Sequence, residues 1–64
     1  MSNADIKLCF KMIDLEQEKM DRYSTSRPLH WWWESRAARD AMRRMLAALL
    51  GQPVEKLAEI RKLI

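Results

Sequence analysis

Apolar side chains recur every three or four positions along the first third of the chain, which is the spacing of an amphipathic α-helix. The repeat consists of Ile6, Cys9, Phe10, Ile13, Met20 and Tyr23, with Gln17 as a polar exception. This pattern predicts a first helix over about residues 4–23. Ser2 or Asn3 can cap its first N–H groups, and Asp5 places a negative charge near the positive end of the helix dipole.

A second apolar pattern begins after a polar break. Ser26 suits a helix N-cap, and the fixed φ angle of Pro28 suits a first helical turn, so a second helix is predicted over about residues 28–50. One apolar stripe comprises Trp31, Ser35, Ala38, Met42, Met45 and Leu49, and an adjacent stripe adds Ala41, Leu46 and Leu50.

A third, shorter helix is predicted over about residues 53–63. Gly51 lies where a helix often ends in a left-handed residue, and Pro53 can begin a helix but cannot continue one. The apolar side of this helix is formed by Val54, Leu57, Ala58, Ile60 and Ile64.

These elements predict a single all-α domain over residues 1–64, in which an antiparallel helical hairpin carries a short C-terminal helix. A chain of this length buries only about 60% of the surface that its unfolded form exposes. Cys9 is the only cysteine, which excludes an internal disulfide, and with His30 as the only histidine no spacing resembles a zinc site. We therefore expect a homodimer that packs into a helical bundle. The predicted core or dimer interface comprises Phe10, Ile13, Trp31, Met42, Met45 and Leu49.

The composition favours a soluble, cytoplasmic, non-enzymatic protein. The longest apolar run, residues 45–50, is far shorter than the roughly 20 residues that span a bilayer. Cys9 falls on an apolar stripe, where a thiol behaves as a small hydrophobic group, and there is no glycine-rich loop for a nucleotide. No catalytic residue, metal or cofactor is predicted.

Three consecutive tryptophans, Trp31, Trp32 and Trp33, are the most unusual local feature. Successive helical residues point about 100° apart, so at least one ring must face outward. In one interpretation Trp31 fills the core while the other rings pack on the first helix. In the other, the rings belong to an interface, since tryptophan and arginine are enriched at binding hot spots.

Charge is unevenly distributed: residues 1–26 carry four basic and five acidic side chains, and residues 27–64 carry eight basic and four acidic ones. The spacing of Trp32, Arg36, Arg39 and Arg43 predicts a basic ridge along one side of the second helix. This ridge is either a solvated face paired with nearby acids or a binding surface for phosphates or an acidic protein groove. The candidate partner-binding residues are Trp32, Trp33, Arg36, Arg39 and Arg43.

A leucine-rich helix, a glycine, a proline and a further helix follow one another at residues 46–60. Ala47 leaves room for a crossing helix, Gly51 can take the positive φ of a turn, and Leu57 and Ile60 can anchor the second helix. In these respects the segment resembles the helix-turn-helix family of DNA-binding proteins. The resemblance implies that the major groove would be faced by Glu55, Lys56, Glu59 and Lys62.

We prefer the interpretation of a non-enzymatic interaction or regulatory module that binds a protein partner. Its size and charge are similar to those of small accessory proteins of temperate phages, which implies a modulator of host or phage regulation. A DNA-binding regulator is the first alternative. Membrane-surface binding through tryptophan and arginine is the second, and it ranks lower because the apolar stripe of the second helix is needed for folding.

Overall fold

The computed structural model describes residues 1–25 and 29–64. Its elements are, in chain order, α1 (Asn3–Tyr23), α2 (His30–Leu50), a 3-10 helix (Val54–Lys56) and α3 (Leu57–Leu63). The predicted all-α hairpin with a short C-terminal helix is confirmed, and the first turn of the predicted third helix is 3-10 rather than α. Among the helices of these residues, none combines the length and apolar character needed to cross a bilayer.

The start of α1 and the end of α2 follow local sequence signals. The Ser2 hydroxyl accepts a hydrogen bond from the Asp5 N–H at 3.2 Å, which caps α1 as predicted. Gly51 ends α2 with a φ of 65°, in the left-handed region. The N–H of Gly51 donates to the Ala48 carbonyl at 3.1 Å and that of Gln52 to the Ala47 carbonyl at 3.0 Å, which is the Schellman pattern. The expected N-cap Ser26 and Pro28 lie outside the described residues.

The core lies between α1, the C-terminal half of α2 and α3. Its buried members are Ile6, Phe10, Ile13, Leu46, Ala47 and Leu57, and Cys9, Met42, Leu50, Ile60 and Ile64 pack against it. Ala47 is 2% exposed, as expected of a small residue beneath a crossing helix. α3 contributes Leu57, which is 5% exposed, and so covers one side of the hairpin. The apolar stripe predicted for α1 and the inward positions of Leu57 and Ile60 are confirmed.

The apolar face of α2 is wider than the part of it that α1 and α3 cover. Trp31, Met45 and Leu49 are exposed to 53%, 65% and 69%, so these residues lie outside the core of the chain. The buried residues of α2 are instead Ser35, Leu46 and Ala47. Ala47 belongs to the same buried cluster as Leu57 of α3. One apolar edge of α2 therefore remains open on the side that α3 does not cover.

Candidate functional site

Two of the three tryptophans form a cluster with an arginine at the start of α2. The ring centroids of Trp32 and Trp33 lie 4.7 Å apart with the planes at 89°, an edge-to-face arrangement. The Arg36 guanidinium carbon lies 5.7 Å from the Trp32 ring and 5.3 Å from the Trp33 ring, within cation–π range of both. We call Trp32, Trp33 and Arg36 the Trp–Arg surface.

This cluster arises from helical spacing and is open to solvent. Residues three and four apart are neighbours on a helix, which brings Arg36 beside both Trp33 and Trp32. Trp33 is 54% exposed and the Arg36 side chain 46%, whereas Trp32 is half-buried. Arg36 also lies near Asp40, with 3.9 Å between Nε and Oδ2. That contact is long, and among residues 1–25 and 29–64 Arg36 makes no hydrogen bond, so this part of the chain leaves its guanidinium donors available to a ligand.

Trp31 occupies a different side of α2 from this cluster. The interpretation that Trp31 fills the core is wrong for the chain by itself, because this ring is 53% exposed. It stacks at a tilt against His30, with the centroids 4.5 Å apart, and borders a shallow cavity with Tyr23. Trp31 and Trp33 are two residues apart and so point about 200° from one another around the helix, which places Trp31 away from the Trp33 and Arg36 side.

Arg39, a predicted member of the basic ridge, turns toward α1. Its Nη1 donates to Gln17 Oε1 at 2.7 Å, while Nε and Nη2 donate to Asp40 Oδ1 at 3.1 and 2.9 Å. Only 17% of the Arg39 side chain is exposed. This pairing accounts for the polar Gln17 within an apolar stripe. It also gives Arg39 a structural contact between the helices, so Arg39 does not extend the Trp–Arg surface.

Arg43, the last predicted member of the ridge, lies near α3. It is half-buried and lines a cavity with Phe10, Leu57 and Arg61. The structure therefore separates the arginines: Arg36 belongs to the tryptophan cluster, Arg39 to the contact with α1, and Arg43 to the surroundings of α3.

An ion pair that the sequence did not reveal joins α3 to α1. Both terminal nitrogens of Arg61 donate to Asp14, with 2.7 Å between Nη1 and Oδ1, and the guanidinium carbon lies 5.3 Å from the Phe10 ring. The hydrogen bond from Arg61, aided by the charges of Arg61 and Arg43, holds the pKa of Asp14 below its ordinary value, and the same bond raises the pKa of Arg61. The two residues are 47 positions apart. No local pattern could have paired them.

The residues that the helix-turn-helix resemblance assigned to DNA are Glu55, Lys56, Glu59 and Lys62, and all four are exposed. Lys56 Nζ lies 3.5 Å from Glu59 Oε2, so two of these charges partly neutralise each other. α3 itself has seven residues. The surface on the outside of α3 is therefore mixed in charge.

Of the predicted core or dimer residues, Phe10 and Ile13 are buried at 6% and 4% exposure, and Met42 is half-buried against the core. Met45 and Leu49 instead border an apolar groove between α1 and α2, lined by Cys9, Met12, Met42, Met45, Leu46 and Leu49. Within the described part of the chain, no three histidine, cysteine, aspartate or glutamate side chains lie close enough to hold a metal ion.

No family model, curated protein or solved structure matches this chain.

Proposed function

We propose that this protein is a non-enzymatic interaction module that binds a protein partner through the Trp–Arg surface. The observation that carries the proposal is the placement of the Arg36 guanidinium against both tryptophan rings, while Trp33 is 54% exposed. Tryptophan and arginine are the residue types that contribute most at protein interfaces. A regulatory role, such as modulation of host or phage regulation, is part of the same proposal.

The arrangement favours binding because its side chains are already ordered. Immobilising a flexible side chain on association costs about 0.5–1.5 kcal/mol, and the stacking of Arg36 on two rings removes part of that cost beforehand. The exposed Trp33 ring offers apolar area, and the planar Arg36 fork offers paired N–H donors to a carboxylate. The chemistry fits a partner segment in which an acidic side chain lies next to an apolar one.

Capture from cell lysate tests this proposal with matched variants. Trp33→Ala and Arg36→Ala should lose the captured partner, whereas Arg44→Ala, which removes an exposed arginine of the same helix, should retain it. Arg36→Lys should also weaken capture, because it keeps the charge and loses the planar fork. Circular dichroism must show equal helix content in every variant. Capture that survives both Trp33→Ala and Arg36→Ala would exclude this surface.

DNA binding is a second candidate, favoured by the geometry at the α2–α3 junction. The left-handed Gly51, the buried Ala47 and the inward Leu57 all fit the helix-turn-helix pattern. We rank this candidate second because Lys56 is paired with Glu59.

Fluorescence anisotropy of labelled random-sequence duplex DNA at about 50 and 200 mM salt separates the two candidates, since phosphate contacts make affinity strongly salt-dependent. If α3 binds DNA, Lys56→Ala combined with Lys62→Ala should reduce the salt slope by about 2. Salt-sensitive binding that responds to this double variant would replace the proposal of a protein partner.

A further inference from the structure

The two-helix layer of α1 and α2 has one covered side and one open side. α3 covers the side of Phe10, where Leu57 is buried and Arg61 stacks on the ring. Cys9 points about 100° away from Phe10, toward the groove that lies between the two long helices. The side chains that line this groove all come from α1 and α2.

Exposed apolar side chains line this groove and continue from it along α1. Met12, Met45 and Leu49 line the groove, and Leu8 and Leu15 are helical neighbours of Met12. We call these five residues the open face, and each is between 48% and 69% exposed. The three members from α1 follow spacings of four and three residues, so they lie along one side of that helix. Met45 and Leu49 belong to the stripe that α2 leaves uncovered.

We propose that the open face binds a second copy of this chain. At these exposures the open face presents on the order of 500 Å² of apolar surface, toward the upper end of what monomers expose. Each partner of a standard interface buries about 800 Å² in total. The apolar area is therefore already close to that required for a stable dimer, before the polar rim is counted.

The distribution of charge favours a second copy of this chain over a partner that is recognised through acidic groups. The chain has a net charge of +3, so two copies repel one another wherever their basic side chains meet. The groove is lined by methionine, leucine and cysteine, which lets two copies meet there without burying a charge. A partner recognised through acidic groups would find no basic group to pair with in this groove.

The shape of the open face is also compatible with two-fold symmetry, in which the same patch serves both partners. Such a patch must supply both projections and a recess. Met45 and Leu49 project at 65% and 69% exposure beside the groove, so the pair from one copy can enter the recess of the other. Four long helices would then enclose a common core. The dimer would leave the Trp–Arg surface of each copy open, and this inference does not depend on what that surface binds.

Mass measurement over a concentration series tests the proposal with a matched pair of variants. Light scattering of the wild type should approach twice the 7.6 kDa mass of one chain as concentration rises. Met45→Glu should raise the dissociation constant by about a hundredfold or more, because the dimer would bury two unpaired carboxylates. Ala37→Glu adds the same group at an exposed position of α2 that does not line the groove, and it should dimerise as the wild type does.

The fold of Met45→Glu should be retained, because Met45 is 65% exposed in the single chain. A measurement on the unmodified protein tests the dimer even if the variant fails to fold. Cys9 lines the groove, so its reaction with a thiol reagent should slow as protein concentration rises and dimers cover it. A constant mass of one chain, a Met45→Glu dimer of wild-type affinity, or a concentration-independent Cys9 reaction rate would overturn the proposal. A monomer that binds anionic lipid vesicles through this face would assign it to a membrane surface instead.

Discussion

Leu57 is the side chain through which α3 is anchored to the hairpin, and its truncation tests the described packing most directly. It is 5% exposed and borders Phe10, Ile13 and Arg61. A buried leucine replaced by alanine destabilises a protein by about 2–5 kcal/mol, through lost apolar burial and the cavity left behind. α3 has seven residues, and isolated helices shorter than about 12 residues are marginal in water. Leu57→Ala should therefore release α3 and weaken the Asp14–Arg61 pair with it.

The effect should be large relative to the total stability, because a core of this size supplies roughly 3–5 kcal/mol. For a domain of 60–100 residues, each 1 kcal/mol shifts the Tm by about 4–8 °C, so Leu57→Ala should lower the Tm by at least about 8 °C. Thermal and urea unfolding followed by circular dichroism, at one fixed protein concentration, measures this change. Trypsin should also cleave the variant faster after Arg61.

Leu63→Ala provides the matched control, because it makes the same change in the same helix at a position that is 84% exposed. Its stability should stay within about 0.5 kcal/mol of the wild type. Equal unfolding midpoints and equal cleavage rates for Leu57→Ala and Leu63→Ala would refute the packing of α3 described above.

Substitutions at three further positions test the helix ends and the long-range ion pair. Gly51→Ala should lower the free energy of unfolding by about 1–2 kcal/mol in urea unfolding. The loss comes from backbone strain alone, since φ is 65° and an added Cβ meets no atom within 4 Å. Gly51→Asn should lose less, because asparagine tolerates this conformation better. Ser2→Ala should cost about 1 kcal/mol by removing the cap on the Asp5 N–H, and an unchanged Tm would contradict that role. Asp14→Asn should destabilise by less than about 1 kcal/mol near pH 7, because its pair with Arg61 is half-exposed. Because the pKa of Asp14 is lowered, its charged form stabilises the fold above the ordinary value of 3.8, and this contribution is lost as the pH falls through the lowered pKa. The urea-unfolding stabilities of the wild type and Asp14→Asn should therefore converge as the pH is lowered below 3.8, and a constant difference would contradict the pairing.

The positions of the helices could be predicted because they depend on signals that lie within a few residues of one another. Ser2 caps the turn that follows it, and Gly51 supplies the left-handed residue at the point where the apolar repeat of α2 ends. The pairing of Trp33 with Arg36 is equally local, because it needs only the three-residue spacing of a helix. For the same reason the outward position of at least one tryptophan followed from the sequence.

The apolar periodicity of α2 did not predict which side of the hairpin α3 covers, although the helix-turn-helix resemblance placed Ala47 beneath a crossing helix. Met45 and Ala47 are close neighbours within the same helix, and which of them is buried depends on where a distant helix packs. The Asp14–Arg61 pair has the same origin, since it exists only after α3 has docked. Arg39 was expected on the basic ridge because helical spacing alone gives no sign of a partner on another helix.

The bond between Arg39 and Gln17 has a consequence for the alignment of the two long helices along their axes. Methionine and leucine contacts adapt to small displacements, so apolar packing alone tolerates more than one axial alignment. The Arg39 Nη1 and Gln17 Oε1 atoms are 2.7 Å apart near the middle of both helices, and a slide of one helical turn, about 5.4 Å, would separate them. This hydrogen bond within a largely apolar seam therefore favours one axial register of the hairpin.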